Sequence, residues 1–408
     1  MSSTKPDGRS DSAPRERLLG LFRDALLSVR ADRLIERALH GADYSHVIAL
    51  GKAGEALAAG AVRALGTRLV AGFLSAPRGY ATGELPDAAP FERHWGAHPL
   101  PDTASIAAGE ALARFVESLP ASASVAVLLS GGASACIELP NLGIDVEFLR
   151  RANAWLLASG LPIEDMNRVR VGFSRLKGGG VARLLGNREI GAWILCDVPG
   201  GELGWVGSGP LSLPSPREWP SLPDWLRERL CRRSAAGNVP LIRLNRLAGN
   251  EEAVAYLVRH GARAGDTLSG EAAELGTRIG AELAAAEPGL YVRGGEPAVR
   301  LPALPGRGGR CQHLALTAAL AIEGRCDCWL LVAGSDGRDG TEPVAGACVD
   351  GGTVVRGRGQ GLDPEHALAT ADAGSFLAAS GDLVYTGPTG THVNDLLIAL
   401  KTGTVNKA

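Results

Sequence analysis

The chain has 408 residues, which at roughly 150 residues per domain is enough for two domains and excludes a small disulfide-stapled scaffold. Its 42 lysine and arginine residues are offset by 44 aspartate and glutamate residues, so the formal net charge is -2. Nucleic-acid backbones and anionic membranes are bound by an excess of positive charge. The composition therefore argues against both as partners.

Cysteine usage and the first residues predict a location. The seven cysteines are scattered and odd in number, which predicts reduced thiols and a cytoplasmic setting. The longest uncharged run, residues 118–137, contains Pro120 and a glycine pair, so we interpret it as a buried strand plus a turn. Residues 1–14 are polar and lack the apolar stretch of a signal peptide, and we expect a disordered tail there.

The first half of the chain alternates predicted strands and helices. From Arg15 onward, apolar residues recur at spacings of three and four, which predicts an amphipathic helix. Short, continuously apolar runs then predict strands at residues 46–50, 124–132 and 191–201, each ending in glycine-rich sequence. Strands that are apolar on both faces belong to a mostly parallel sheet covered by helices, so the fold class is α/β.

A proline-rich stretch separates this half from the next. Five prolines between Pro210 and Pro223 would interrupt any regular element. We therefore divide the chain into domains of residues 15–238 and 239–400. In the second domain we predict helices at 250–260 and 270–286, strands at 289–296, 328–337 and 381–390, and a final helix capped by Thr391.

Two glycine-containing turns in the first domain are candidate anion sites. Lys52 lies at a strand-to-helix turn, where it would project over the amides of a helix N-terminus. The turn is not a Walker A loop, and a solvated surface lysine is the alternative. The second turn supplies small residues whose amides form either an anion nest or a plain turn. Its candidate residues are Ser130, Gly131, Gly132 and Ser134.

A polar stripe is predicted in the segment MNRVRVGFSRLKGGG. If the segment is helical, Asn167, Arg170, Ser174 and Lys177 lie along one face. Such stripes are usually solvated. An exposed helix would not need the glycine run at residues 178–180, so this run favours a ligand-binding role for the segment.

Carboxylates that follow predicted strands are candidate metal ligands. Asp197 follows an apolar run, and such a residue holds magnesium, accepts a hydroxyl proton, or simply caps a turn. Asp336 and Asp339 lie in the loop GSDGRDG, where two carboxylates suggest magnesium or a substrate hydroxyl.

The second domain offers further candidates at element ends. Glu296 ends a predicted strand in the motif GGE. Arg310 precedes a helix and is a plausible phosphate clamp, because guanidinium binds phosphate with two parallel hydrogen bonds. The surrounding GRGGR string lacks the final glycine of a dinucleotide fingerprint. Asn394 and Asp395 fall in the first turn of the predicted final helix.

The order of these motifs resembles that of the class II glycerate kinases, whose C-terminal half is called the MOFRL domain. The matching segments are GKA (51–53), HPLPD (98–102), LLSGGASA (128–135), NRVRVGFSRLKGG (167–179), CDVPGGELGWVGSGP (196–210), GNEEA (249–253), GGEPAV (294–299), GRGGRCQHLAL (306–316), GSDGRDGTEPVAGACVD (334–350) and TGPTGTHVNDL (386–396). They span about residues 45–400 in family order, which makes the resemblance specific for the fold.

The resemblance implies a two-lobed α/β enzyme, with a Rossmann-like N-terminal sheet, a smaller C-terminal domain and an active site in the cleft between them. It implies a kinase that uses ATP and Mg2+ to phosphorylate the 2-hydroxyl of D-glycerate. Lys52 and Arg310, one from each lobe, would flank the transferring phosphoryl group, and Asp197 would orient the hydroxyl or the metal. The substrates would be ATP and a small hydroxy acid, and a homodimer is left open.

Several positions depart from the family pattern. Cys311 and His313 stand where the family has Asn and Glu, His392 replaces the Asn of TNVND, and Gly201 replaces an Asp. These changes keep three alternatives open: a kinase for another hydroxy acid or a sugar-derived acceptor, a non-catalytic nucleotide-binding protein, and a hydroxypyruvate reductase. The missing dinucleotide fingerprint counts against the reductase.

Overall fold

The computed structural model describes residues 12–212, 218–230, 240–340 and 342–403. In chain order its helices are α1 (Ser12–Ser28), α2 (Ala31–Ala38), α3 (Gly54–Leu65), α4 (Thr103–Ser118), α5 (Ala133–Cys136), α6 (Val146–Ala158), α7 (Ile163–Phe173), α8 (Gly180–Leu185), α9 (Asp224–Arg227), α10 (Asn250–Arg259), α11 (Ala272–Ala285), α12 (Arg310–Ala321), α13 (Thr353–Gly359), α14 (Pro364–Ala369) and α15 (Ala373–Ser380). Its strands are β1 (His46–Leu50), β2 (Ala71–Pro77), β3 (Phe91–Gly96), β4 (Ser124–Leu129), β5 (Glu189–Leu195), β6 (Leu244–Ala248), β7 (Ala262–Ala264), β8 (Leu268–Glu271), β9 (Gly289–Ala298), β10 (Cys328–Gly334), β11 (Gly346–Asp350), β12 (Leu383–Val384) and β13 (Asp395–Lys401).

These elements form two compact units. The parallel-sheet unit comprises residues 30–249 and 390–392, and the mixed-sheet unit comprises the described residues of 12–29, 250–389 and 393–403. The boundary predicted between residues 238 and 239 lies outside the described residues. The units divide between Gly249 and Asn250 instead, and α1 belongs with the C-terminal half of the chain.

Long-range contacts explain the placement of α1. The Arg15 guanidinium donates from Nη1 to the Cys348 carbonyl (2.7 Å) and from Nη2 to the Leu383 carbonyl (3.1 Å). Leu18 and Phe22 of α1 are fully buried, and the helix packs against α10, β10 and β13. Since α1 begins at Ser12, residues 12–14 are helical and do not belong to a disordered tail. The rest of the predicted tail, residues 1–11, lies outside the described residues.

The parallel-sheet unit contains six strands in the order β3-β2-β1-β4-β5-β6, and all neighbouring strands are parallel. This confirms the predicted Rossmann-like sheet. The strands β1 and β4 are buried along almost their whole length, as expected for a sheet covered on both faces. The chain order reverses between β1 and β4. In such sheets, ligands bind at the carboxyl ends of the strands beside this reversal.

The mixed-sheet unit contains a sheet in the order β12-β11-β10-β13-β9-β7, with β8 also paired to β9. The predicted final helix is wrong: all seven residues of β13 are buried, and the strand pairs antiparallel with both β9 and β10. Short apolar runs do not separate a buried strand from a helix, so Asn394 and Asp395 were mistaken for a helix start. The predicted strand at 381–390 is also shorter, because only β12 is extended there.

Among the described residues, no helix is both long enough and apolar enough to cross a membrane.

Candidate active site

The turns after β1 and β4 are joined by hydrogen bonds. The Lys52 amide donates to the Gly131 carbonyl (2.8 Å), and the Ala53 amide donates to the Ser130 hydroxyl (3.0 Å). Gly51 makes this approach possible: its φ is +105°, and a Cβ there would lie 2.3 Å from the Ser130 carbonyl oxygen. Both amides therefore already donate hydrogen bonds to the turn after β4. The positive charge that this turn offers to an anion is that of the Lys52 side chain.

Ser130 joins the two turns and is fully buried. Besides accepting from Ala53, its hydroxyl donates to the Leu50 carbonyl (3.3 Å). We expect Ser130→Ala to lower the free energy of unfolding by about 1–3 kcal/mol, because the buried Ala53 amide would lose its acceptor. Urea denaturation measures this. Ser118→Ala, which removes an exposed hydroxyl bonded to Phe115, is the control, and equal stability of the two variants would contradict the assigned role.

The Lys52 side chain lies over the glycine turn. Its ammonium group is 5.3 Å from the ring centroid of Tyr80, a cation–π distance. A Cβ on Gly132 would lie 2.8 Å from Lys52 Cγ, so glycine at this position leaves room for the lysine stem. Lys52 is half-buried. The turn thus places one cation beside the reversal point of the sheet.

Asp197 follows β5 and contacts His392. The His392 Nε2 atom lies 3.4 Å from Asp197 Oδ2, and the imidazole is buried. Both side chains pack closely against Gly131. A Cβ at this position would lie 1.8 Å from Asp197 Oδ2 and 2.6 Å from His392 Cδ2. The histidine that departs from the family pattern is therefore a direct neighbour of the predicted catalytic carboxylate.

A chain of hydrogen bonds connects the turn after β4 to Arg170. The Ser134 and Ser208 hydroxyl oxygens are 2.9 Å apart, and Ser208 donates to Asn167 Oδ1 (2.9 Å). Arg170 donates from Nη1 to the same Asn167 oxygen (2.9 Å) and from Nε to Asn153 Oδ1 (3.0 Å). Ser208 has a φ of +64°, which is uncommon for a residue with a side chain and is typical of functional turns.

The Arg170 guanidinium has neutral partners only. Among the described residues, no carboxylate lies within 4.0 Å of it, and both of its hydrogen-bond acceptors are amide oxygens. Burial lowers the pKa of Arg170 to about 10, so the group is still charged at neutral pH. The Glu138 charge opposes this shift, but the ion pair of Glu138 is with Lys177. A desolvated cation that no carboxylate contacts favours binding of an anion, and a guanidinium suits a carboxylate.

Lys177, by contrast, has an internal counter-ion. Its ammonium group contacts the buried carboxylate of Glu138, which also accepts hydrogen bonds from the Ser174 hydroxyl and the Leu139 amide. Burial lowers the pKa of Lys177 and the Glu138 charge opposes that shift. The predicted four-residue helical stripe is wrong, because α7 ends at Phe173 and Ser174 is extended.

In the mixed-sheet unit, Arg310 forms ion pairs with two carboxylates. Its Nε and Nη2 atoms donate to the two oxygens of Asp395 (2.5 and 3.1 Å), and Nη1 lies 2.9 Å from Glu296 Oε1. Although burial opposes it, the charges of Asp395 and Glu296 raise the pKa of Arg310. Arg310 is therefore a permanent cation that the carboxylates of Asp395 and Glu296 already engage.

The acidic loop residues of this unit have structural partners. Asp339 caps α12, because its carboxylate accepts hydrogen bonds from the backbone amides of Cys311 (3.0 Å) and Gln312 (2.8 Å). Asp336 accepts from the Arg338 amide within its own turn (3.0 Å). Asn394, with a φ of +63°, leads into β13, and its carbonyl accepts from the Ser335 amide.

The buried carboxyl group of Asp339 is expected to make the free energy of unfolding depend on pH. Burial, reinforced by the charge of Asp395, raises the pKa of Asp339 to about 6 in the folded protein, above its ordinary value of 3.8. Between these two pKa values the folded state holds a proton that the unfolded state releases, so this contribution to stability is lost as pH rises from about 4 to 6. The expected loss is on the order of 3 kcal/mol.

The measurement is urea denaturation at pH 4.5 and pH 7 for the unmodified protein and Asp339→Asn, which has no proton to release. We expect the stability difference between the two proteins to change with pH in the stated direction. The exposed Asp266→Asn is the control for a new amide. A pH-independent difference for Asp339→Asn would contradict the assignment.

The predicted magnesium ligands, Asp197 and Asp336, stay predictions. Asp197 belongs to the parallel-sheet unit and Asp336 to the mixed-sheet unit. Within the described ranges, no group of three or more His, Cys, Asp or Glu side chains is arranged to hold a metal ion. A single carboxylate suits Mg2+ only where phosphate oxygens and water supply the other ligands.

The remaining departures from the family pattern have distinct environments. Cys311 is fully buried and burial raises the pKa of its thiol, whereas burial lowers the pKa of His313. Gly201 has a φ of +74°, and a Cβ there would lie 2.9 Å from Arg246 Nη1. An aspartate at position 201 would therefore place its carboxylate beside the Arg246 guanidinium. With glycine at this position, that guanidinium interacts with other groups.

The structure thus brings most predicted residues of the first domain to one loop. Residues 130–134 contact Lys52, Asp197 with His392, and the Ser208 chain that ends at Arg170. Sequence reasoning missed Ser208, Glu138 and Asn153 as parts of the site. The GSG string around Ser208 was a usable signal, and so was Glu138 as the first charge after the long uncharged run.

Comparisons with known proteins agree with this architecture. Residues 17–231 match the family described as a domain of unknown function, DUF4147, and residues 289–395 match the MOFRL family. D-glycerate 2-kinase of Thermotoga maritima is 32% identical over 93% of this chain and 96% of that protein. A relative from Agrobacterium vitis, provisionally named as a hydroxypyruvate reductase, is 34% identical over 86% of this chain and 85% of its own length.

A solved structure gives the same result. The crystal structure of glycerate kinase from Thermotoga maritima superposes with a TM-score of 0.78 at 29% identity, covering 96% of this chain and all of that chain. The chain therefore belongs to the glycerate kinase family with a C-terminal MOFRL domain. The family resemblance predicted from the ordered motifs is confirmed.

Proposed function

We propose that the chain is an ATP-dependent glycerate 2-kinase, which transfers the γ-phosphoryl group of ATP to the 2-hydroxyl of D-glycerate. Similarity to D-glycerate 2-kinase over 93% of the chain supports the reaction class. The observation that carries the acceptor assignment is Arg170, a half-buried guanidinium whose hydrogen-bond acceptors among the described residues are the amide oxygens of Asn153 and Asn167. It offers the counter-charge that a small hydroxy acid needs.

Each charged group of glycerate and ATP has a partner in this proposal. Arg170 binds the glycerate carboxylate, and the Ser134–Ser208–Asn167 chain holds its guanidinium in place. Lys52 offsets negative charge on the transferring phosphoryl group. Asp197 accepts the proton of the 2-hydroxyl, and the His392 imidazole lies next to its carboxylate, with Nε2 3.4 Å from Oδ2. Positioning and charge neutralisation are the main requirements of phosphoryl transfer.

The proposed chemical step is balanced without a further reactant. The 2-hydroxyl oxygen forms a bond to the γ-phosphorus, while the bond from that phosphorus to the β–γ bridging oxygen breaks. ADP leaves with the electron pair of the bridging oxygen, and the hydroxyl proton passes to the Asp197 carboxylate. If Mg2+ is bound together with ATP, Asp197 is the carboxylate that would help to hold it, and the ion would reduce the negative charge on the phosphate oxygens.

The remaining predicted residues have supporting roles in this proposal. Gly131 and Gly132 provide the space that Asp197 and Lys52 occupy, while Ser130 and the Lys177–Glu138 pair fix the loops. In the mixed-sheet unit, Arg310 is proposed as a phosphate ligand. Asp336 and Asn394 remain predictions as substrate contacts.

The test is ADP release by purified protein with ATP, Mg2+ and a panel of acceptors. We expect turnover with D-glycerate at least about tenfold more efficient than with L-glycerate or lactate, and none with glycerol, which lacks the carboxylate. Faster turnover with a larger acid or sugar would assign a different acceptor. ATP binding without any turnover would identify a non-catalytic homologue.

The reductase alternative requires its own assay. The sheet has the strand order of dinucleotide-binding folds, but the turn after β1 reads GKAGEA and lacks the G-x-G-x-x-G spacing. We expect no oxidation of NADH with hydroxypyruvate. NADH oxidation at a rate above that of ADP formation would overturn the kinase assignment.

A further inference from the structure

Arg310 is bound by two carboxylates that differ greatly in exposure. The side chain of Asp395 is 1% exposed and contacts the guanidinium through both oxygens, at 2.5 and 3.1 Å. The side chain of Glu296 is 43% exposed, and its Oε1 atom lies 2.9 Å from Nη1 of the guanidinium. The two ion pairs therefore differ in how easily another anion replaces them.

Asp395 is fixed by its position in the sheet. It is the first residue of β13, between β9 and β10, and its carbonyl accepts a hydrogen bond from Asn250 Nδ2 (3.0 Å). Breaking a buried ion pair leaves an uncompensated charge, which is strongly unfavourable. Asp395 is therefore the harder partner to replace, and its two contacts fix the orientation of the guanidinium.

Glu296 is the more exposed of the two partners and the easier one for another anion to replace. An exposed ion pair contributes little, because water solvates both ions once they separate. The backbone amides at the start of α12 are already bonded to Asp339, so an incoming phosphate meets the Arg310 side chain rather than the helix end. Arg310 with Asp395 and Glu296 carries one net negative charge, which opposes phosphate until Glu296 moves away.

We propose that Glu296 occupies the place on Arg310 Nη1 that a phosphate oxygen of ATP takes in the complex. Glu296 is then an internal competitor that keeps Arg310 ordered and lowers its affinity for nucleotide, rather than a substrate ligand as the sequence predicts. The identity of the ligand as ATP rests on the proposed function. The exchange of one anion for another rests on the contacts alone.

The test is the dissociation constant of ATP, measured by titration calorimetry without acceptor, for the full chain and the Glu296→Gln variant. We expect Glu296→Gln to bind ATP about two- to fivefold more tightly, the size of an exposed ion pair. Glu282→Gln is the matched control. Glu282 is also 43% exposed, pairs with Arg293 in the same unit, and should leave ATP affinity unchanged.

A second variant shows whether the effect acts through Arg310. Arg310→Met should weaken ATP binding, and adding Glu296→Gln to it should have no further effect. Weaker or unchanged ATP binding by Glu296→Gln would overturn the inference, as would an equal gain in Glu282→Gln. Because these titrations contain no acceptor, tighter ATP binding in a protein that fails to phosphorylate glycerate would reject the proposed function and retain this inference.

Discussion

Replacing Lys52 by methionine is expected to lower kcat for ADP formation by about 10³, the size of effect seen when a phosphoryl-transfer enzyme loses one cation at the reacting group. The amides of Lys52 and Ala53 are bonded to the neighbouring loop, so the side chain supplies the charge of this turn. Methionine keeps the unbranched stem that packs beside Gly132. We therefore expect KM for D-glycerate to change by less than about threefold.

Two further variants separate charge from structure. Lys52→Arg keeps the charge in a different shape and should retain more activity than Lys52→Met. Arg33→Met removes one positive charge from the exposed surface of α2 in the same unit and should leave kcat unchanged. A Lys52→Met variant with kcat within tenfold of the unmodified protein would remove Lys52 from the mechanism.

Replacing Arg170 by glutamine is expected to raise KM for D-glycerate by about 10²-fold or more, because the carboxylate would lose the half-buried guanidinium that we propose as its counter-charge. The KM for ATP should stay within about threefold. Steady-state kinetics with each substrate varied in turn measures this split. Equal increases in both KM values would indicate a general loss of structure instead.

The chemistry of the acceptor makes this prediction specific. The amide of glyceric acid keeps both hydroxyl groups and lacks the negative charge. The unmodified protein should strongly prefer glycerate over this amide, and Arg170→Gln should lose most of that preference. Arg151→Met, which removes a guanidinium packed 4.0 Å from the Trp225 ring, is the control and should keep the preference.

The grouping around residues 130–134 could be predicted from the sequence because it follows from parallel-sheet geometry. Lys52, Ser130 and Asp197 each lie within two residues of the end of a mostly apolar strand. Carboxyl ends of parallel strands lie at one edge of the sheet, so these residues had to lie close together. Local pattern and strand direction were enough for this part of the site.

Features that depend on distant contacts could not be predicted in this way. The end of α7 at Phe173 coincides with a β-bridge between Ser174 and Pro140, which no helical periodicity reveals. The seven-residue run of β13 fits a strand or a helix equally well until its neighbours β9 and β10 are known. The placement of α1 depends on Arg15 and carbonyl groups more than 300 residues away.

The charge balance of each cation was also hidden in the sequence. In the sequence, Lys177, Arg170 and Arg310 are simply three basic residues. In the structure, Lys177 forms an ion pair with Glu138 and Arg310 forms ion pairs with two carboxylates. Arg170 instead donates hydrogen bonds to side-chain amide oxygens. Only the folded chain distinguishes them. This difference is the reason why we propose Arg170 as the ligand of the acceptor carboxylate.

The most direct test of the account is the phosphorus NMR spectrum of the product formed from D-glycerate and ATP. Phosphate on the 2-hydroxyl couples to one proton on the neighbouring carbon and gives a doublet, whereas phosphate on the 3-hydroxyl couples to two and gives a triplet. We predict a doublet from 2-phosphoglycerate that grows with the ADP signal. A triplet, or ADP formation without any new phosphate ester, would contradict the account.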